Sequence, residues 1–137
     1  MVGLKVGPIF YKIGTGDFLH SFFSTIAYNL ENKKWGSRFP LLMNDLYYKT
    51  LSVDKIDEAL AELKTIQEEL KEYSPSMVIW NIEDLSQLPP WGDNIADRIT
   101  DLSNYFYTSD GEDLFTLIFK ALEAAKSVNK DVNIQSL

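Results

Sequence analysis

The chain contains no cysteine and a single histidine, His20. Without cysteine there is no disulfide, no thiolate nucleophile and no cysteine metal site. One histidine without cysteine makes a zinc site untenable. No apolar run reaches the roughly 18 residues that a membrane span needs. The first residues, Met1-Val2-Gly3-Leu4-Lys5-Val6, lack the basic region and long apolar run of a secretory signal, so a cytoplasmic location is expected. Basic residues are in the minority, 13 against 20 acidic, for a net charge of −7. That balance repels phosphate backbones and argues against nucleic acid as a partner. It suits a basic protein partner, or it serves solubility alone.

What is present is an ordinary globular composition, 45% hydrophobic over 137 residues, enough for one domain spanning 1–137 with one core. Period-two alternation from Leu4 to Ile13 predicts strand, interrupted at Gly7-Pro8 by either a hairpin turn or a bend. A first helix follows, with Phe18, Leu19, Phe22, Phe23, Ile26, Ala27 and Leu30 at helical spacing and Thr15 or Asp17 as its cap. Asn29 to Arg38 reads as a loop, with Trp35 packed down as a lid. Pro40 to Tyr48 suits a short helix with Pro40 in its first turn, although Tyr47-Tyr48 would equally suit a strand.

The clearest helix runs from about Val53 to Glu72 on the stripe Ile56, Ala59, Leu60, Leu63, Ile66 and Leu70. Met77-Val78-Ile79-Trp80 reads as a buried strand and Asn104 to Thr108 as another. Ser109 and Glu112 have the spacing of a capping box for a last helix running to about Lys126. Asp131 to Gln135 closes the chain as a strand. The order predicts an α+β fold, with a small mixed or antiparallel sheet packed against three main helices.

Catalytic and ligand patterns fail on inspection. His20 has Asp17, Ser21 and Ser24 nearby, but no strained nucleophile turn or oxyanion hole accompanies them. A surface or helix-capping role is expected for His20. Gly14-Thr15-Gly16-Asp17 places an aspartate where a phosphate would sit. Asp93, Asp97 and Asp101 are spaced by four without a calcium-loop pattern, so turns and caps account for them. No metal, cofactor or catalytic residue is expected.

Two features point to a binding protein. On the long helix, Glu58–Glu62 and Glu68–Glu72 are like-charge pairs that stability alone would not select. This makes an acidic face, with Glu58, Glu62 and Glu69, the candidate partner surface; a solvated helix face is the plainer account. The second feature is Pro89-Pro90-Trp91-Gly92-Asp93-Asn94, a stiff turn-rich loop carrying a tryptophan. Trp91 either anchors a partner, with Asp93 beside it, or folds back over the core edge with its indole N–H on a carbonyl, the commoner arrangement.

Five phrases carry a resemblance: Gly16-Asp17-Phe18-Leu19-His20-Ser21-Phe22-Phe23, Trp35-Gly36-Ser37-Arg38-Phe39-Pro40, Val78-Ile79-Trp80, Pro89-Pro90-Trp91-Gly92 and Thr108-Ser109-Asp110-Gly111. In order and spacing they resemble the immunity protein 70 family of bacterial polymorphic toxin systems, over nearly the whole chain. The resemblance implies a cytoplasmic antidote that binds and occludes the toxic domain of a cognate secreted toxin. It implies no enzymatic activity and no catalytic residues. A basic nuclease toxin would suit the acidic charge, since an acidic inhibitor can mimic the phosphate substrate. A non-enzymatic adaptor of unrelated role is the alternative.

Overall fold

The computed structural model describes all residues 1–137. β1 (Val2–Val6) lies between β2 (Ile9–Gly14) and β3 (Val132–Ser136), antiparallel to both. The α+β fold is present, and its sheet is the antiparallel form. Only Gly7 and Pro8 separate β1 from β2, so the hairpin is realised. Gly7 sits at φ +54°, a conformation glycine enters without steric cost. Leu4, Val6, Ile13 and Val132 bring apolar side chains from all three strands into the core.

The chain has three 15-residue helices, α1 (Gly16–Leu30), α2 (Ile56–Leu70) and α3 (Leu114–Val128); α1 and α3 pack on the strands, and α2 packs on those two helices. Thr15 caps α1, its hydroxyl accepting from the Phe18 N–H. Phe22 stands at the centre of the core, edge-to-face with Phe23, Phe106 and Phe115 at centroid distances of 5.2 to 5.4 Å. A tight helical turn, Val53–Lys55, leads into α2, so the predicted start at Val53 marks that turn. Pro40 opens a π-helical turn, Leu41–Leu46, where a short helix was expected.

Three expectations are corrected. Met77 to Trp80 forms no strand. This stretch lies along α1, and buried hydroxyls of that helix satisfy its backbone. Thr25 both accepts from the Ile79 N–H and donates to the Ile79 carbonyl, at 3.1 Å each. Ser21 donates to the same carbonyl at 2.7 Å. Ser24 accepts from the Ile82 N–H, and Asn29 donates to the Met77 carbonyl. With its polar groups met by side chains, the segment needs no neighbouring strand.

Asn104 to Thr108 is not a strand either. β1 has both edges occupied, and this segment finds its partners locally. Asp101 and Asn104 close a capping box around the turn Leu102–Asn104. Leu114 N–H donates to the Phe106 carbonyl, and Thr108 N–H to that of Glu112.

The third correction is the cap of α3, which is Asp113 rather than Ser109. Its carboxylate accepts from the Thr116 N–H at 2.9 Å. Residues 108 to 111 form a separate tight turn with Gly111 at φ +86°. Ser109 and Glu112 therefore lie outside the helix. Glu112 pairs instead with Lys120.

Candidate partner-binding surface

Two of the three acidic candidates on α2, Glu62 and Glu69, are committed to the fold. Glu62 points at the start of the π-helical turn and accepts from the Leu41 and Leu42 N–H groups, at 3.3 and 3.0 Å. Those are donors that a helix start leaves without internal partners. Burial pushes the Glu62 carboxyl above its ordinary range, and the two N–H donors only partly offset this. Glu69 makes a two-pronged pair with Arg38, at 2.8 and 2.7 Å. The guanidinium holds the Glu69 carboxyl below its ordinary range. Glu58 is exposed and has only a loose contact of 3.9 Å with Lys55. Asp57 pairs with Lys126 of α3.

Glu31 does the same work further inside. It is 2% exposed. Its carboxylate accepts three backbone N–H groups, those of Gly36, Arg38 and Phe39, at 2.9 to 3.0 Å. The loop after α1 is thus wound around one carboxylate. Trp35 closes over it, as expected of a lid, with its indole N–H on the Met43 carbonyl at 2.8 Å. A glutamate just past the end of the α1 stripe, followed by a glycine-bearing loop, was the available signal for this arrangement.

Residues 78–101 form 24 consecutive positions without helix or strand. Structureless loops longer than about 12–15 residues are uncommon in compact domains and are usually either functional or linkers, and this one is tied down at both ends. The start of this one is fixed by the hydroxyl stripe of α1. Its far end is fixed by the Leu102 N–H, which donates to the Tyr73 carbonyl. Between these ends Leu85 and Leu88 stand out, with Leu88 73% exposed.

Trp91 folds back over the core edge, the commoner of the two arrangements expected. Its indole N–H donates to the Tyr105 hydroxyl at 2.7 Å, and its ring packs edge-to-face on Trp80 at 5.5 Å. The indole partner is a hydroxyl rather than the expected carbonyl. At 37% exposure Trp91 still presents a free flank. Asp93, two residues on, is exposed.

The Trp91–Ile95 turn separates two open cavities. One, of about 350 Å³, is lined by Trp91, Phe18, Ala96 and Ile99 among others. The other, of about 690 Å³, is lined by Ser76, Val78, Leu88, Pro89 and Asp93 among others. Tyr105 and Ile95 border both. The structure therefore brings Trp91 and Asp93 together at one surface, and no residue of α2 lines either cavity.

The remaining candidates resolve into structural roles. His20 neither caps α1 nor lies free on the surface. Its ring stacks on Trp35 at 6.0 Å, and its Nε2 lies 3.7 Å from the exposed Glu83 carboxylate. Tyr47 completes this aromatic cluster, and burial, with the neighbouring Tyr48, Glu83 and Asp17, pushes its phenol up to about 12. Asp101 serves as a cap, as expected, whereas Asp93 and Asp97 lie on the irregular segment rather than on one helix face. No group of three or more histidine or carboxylate side chains is placed to hold a metal ion. No helix is long and apolar enough to cross a membrane.

Among known proteins, no curated protein and no solved structure matches the chain. The family model described as immunity protein 70 does match, over residues 4–134, and so takes in all three helices, the irregular segment and most of the sheet. The chain belongs to the immunity protein 70 family.

Proposed function

We propose that the protein neutralises a cognate toxin by binding its toxic domain and occluding it, in the cytoplasm of the producing cell and without catalysis of its own. Family membership supports an immunity role. The surface assigned to the toxin is the 78–101 segment, because it is long, irregular and anchored at both ends, with Leu85, Leu88 and Trp91 exposed along it. Its charge favours a basic partner. Five carboxylates, Glu83, Asp84, Asp93, Asp97 and Asp101, face one arginine, giving −4 of the chain's −7 within 24 residues. Arg98 itself is engaged, with its guanidinium 4.3 Å from the centre of the Tyr107 ring.

A nuclease is the toxin class that this charge suits, since nucleases are basic where they hold phosphates. Carboxylates on the inhibitor would speed encounter with such a surface. Within this assignment Trp91 and Asp93 stay in the binding surface. Glu58 remains an outer charge that tunes encounter, while Glu62 and Glu69 support it indirectly by holding the fold.

The test is co-expression with the toxic domain encoded beside this gene. Protected growth and co-elution as one complex are expected. A domain that kills regardless, and elutes apart, rejects the immunity reading. Protection with the 78–101 segment unperturbed in the complex, by amide hydrogen exchange, moves the contact elsewhere.

A further inference from the structure

We propose that the two cavities either side of the Trp91–Ile95 turn form a bipartite receptor for a toxin segment with two apolar side chains flanking a lysine or arginine. This rests on the immunity reading and specifies which chemistry of the toxin the surface takes. The cavity walls are mostly apolar, with Phe18, Ile99 and Trp91 on one side and Val78, Leu88 and Pro89 on the other. Each volume is large enough for a leucine-sized side chain, and burying one fully is worth roughly 1.5–3 kcal/mol. The only charged residue lining either cavity is Asp93. It belongs to the turn that divides them, so a cation on the connecting residue would meet it.

The dividing wall also offers a polar contact. Tyr105 is 5% exposed and borders both cavities. Its hydroxyl oxygen accepts from the Trp91 indole, and its own proton has no acceptor among the hydrogen bonds of the fold. A phenol can donate and accept at once. A backbone carbonyl of the incoming segment would complete it, whereas an apolar filling alone would leave a buried donor unpaired. The wall is held in place from within, by the Trp91–Tyr105 bond and by the Asn94 and Ile95 N–H groups, which donate to the Trp91 and Asp93 carbonyls. A preformed receptor of this kind binds with a smaller ordering penalty of its own.

The experiment fills the cavities from exposed lining positions. Ala96→Phe occupies the smaller cavity and Ser76→Trp the larger, with thermal melts to establish that each variant folds. Affinity for the toxic domain is expected to fall about tenfold or more with either variant. Asp93→Asn should slow association about threefold at low salt.

A second arm uses acetylated, amidated Leu-Lys-Leu and Leu-Glu-Leu peptides, followed by the Trp91 indole N–H resonance. The lysine peptide should shift that resonance, and the glutamate peptide should need about tenfold more to match it. If the toxic domain binds wild type and both folded filling variants equally well, the receptor proposal is overturned. If the toxic domain does not bind wild type at all, the immunity reading fails and the peptides decide. Equal or absent shifts then overturn the receptor too, and the expected lysine preference upholds it for a different basic partner.

Discussion

Residues 54–72, comprising α2 and its flanks, and residues 78–101 each carry four more carboxylates than basic side chains. On α2 part of the excess is tied to the rest of the chain. Glu62 accepts backbone N–H groups of the π-helical turn, Glu69 grips Arg38, and Asp57 reaches Lys126. One of those contacts, the Glu69–Arg38 pair, ends on a loop residue, while the other two end on the π-helical turn and on α3. On the irregular segment the carboxylates either shape local turns, as Asp84 does with Ser86 and Asp101 with Ser103, or have no cationic partner in the chain. Asp93 and Asp97 are of the second kind. Equal charge per stretch thus has opposite uses: one set is a fastener and the other is left for solvent or a partner. Net charge along a sequence does not distinguish them, because the difference lies in what each carboxylate can reach.

The comparison breaks if inward carboxylates can be removed freely. Glu31 is its extreme case, and Glu31→Ala should destabilise by about 3 kcal/mol or more, because three N–H donors lose their acceptor in a buried loop. Urea melts measure this; a loss under about 1 kcal/mol would mean that water replaces the carboxylate at little cost. Within α2, Glu62→Lys should destabilise by about 2 kcal/mol, since it leaves the Leu41 and Leu42 donors unpaired. Glu69→Lys should do less, about 1 kcal/mol, since the Arg38 pair is partly exposed and screened. Glu58→Lys and Asp97→Lys should stay within about 0.5 kcal/mol, as surface changes do. Equal melts for Glu62→Lys and Glu58→Lys would erase the distinction.

Association kinetics read the other half of the contrast. Asp93→Lys with Asp97→Lys should slow binding of the toxic domain several-fold at low salt, and Glu58→Lys much less. The slowing should shrink at high salt, because exposed charges are screened over a Debye length of about 8 Å at physiological ionic strength. A larger effect from Glu58→Lys would return the contact to α2.

The smallest effects lie in the pH dependence, where two carboxylates of the same helix have opposite signs. Burial raises the Glu62 carboxyl, so its favourable contribution is present below the ordinary glutamate value and is lost as pH rises through the folded one. Arg38 lowers the Glu69 carboxyl, so its contribution is present above the ordinary value and is lost as pH falls through the folded one. Relative to wild type, Glu62→Gln should therefore gain stability from about pH 4 to pH 7, and Glu69→Gln should lose it. Melts that run parallel across that range would show that neither group is perturbed by the fold.

Much of the architecture was legible from the sequence alone. The stripe of α1, the stripe of α2 and the interruption at Gly7-Pro8 each rest on local rules, namely periodicity and backbone sterics, although whether that interruption was a hairpin turn or a bend was left to the structure. The family likewise followed from phrases along the chain, and the match over residues 4–134 bears it out. The strands expected at Met77–Trp80 and Asn104–Thr108 went wrong for one shared reason. A backbone segment needs hydrogen-bond partners, and sequence does not say whether a strand, a hydroxyl or a nearby turn will supply them. Here Ser21, Ser24 and Thr25 supplied the first set, and the turns around Asp101 and Glu112 the second. Ser21 and Ser24 stood out beside His20 in the sequence, but their use depended on which segment would lie against them.

The candidate surface divides along the same line. Composition determined that the protein is acidic, and the prolines determined that Trp91 sits on a stiff loop. Only the tertiary structure decided that Trp91 shares a wall with Tyr105 between two cavities, and that Glu62 and Glu69 face inward. Residue types fix what a side chain is able to do. Which of those abilities is used is set by neighbours that lie far away in the chain and close in space.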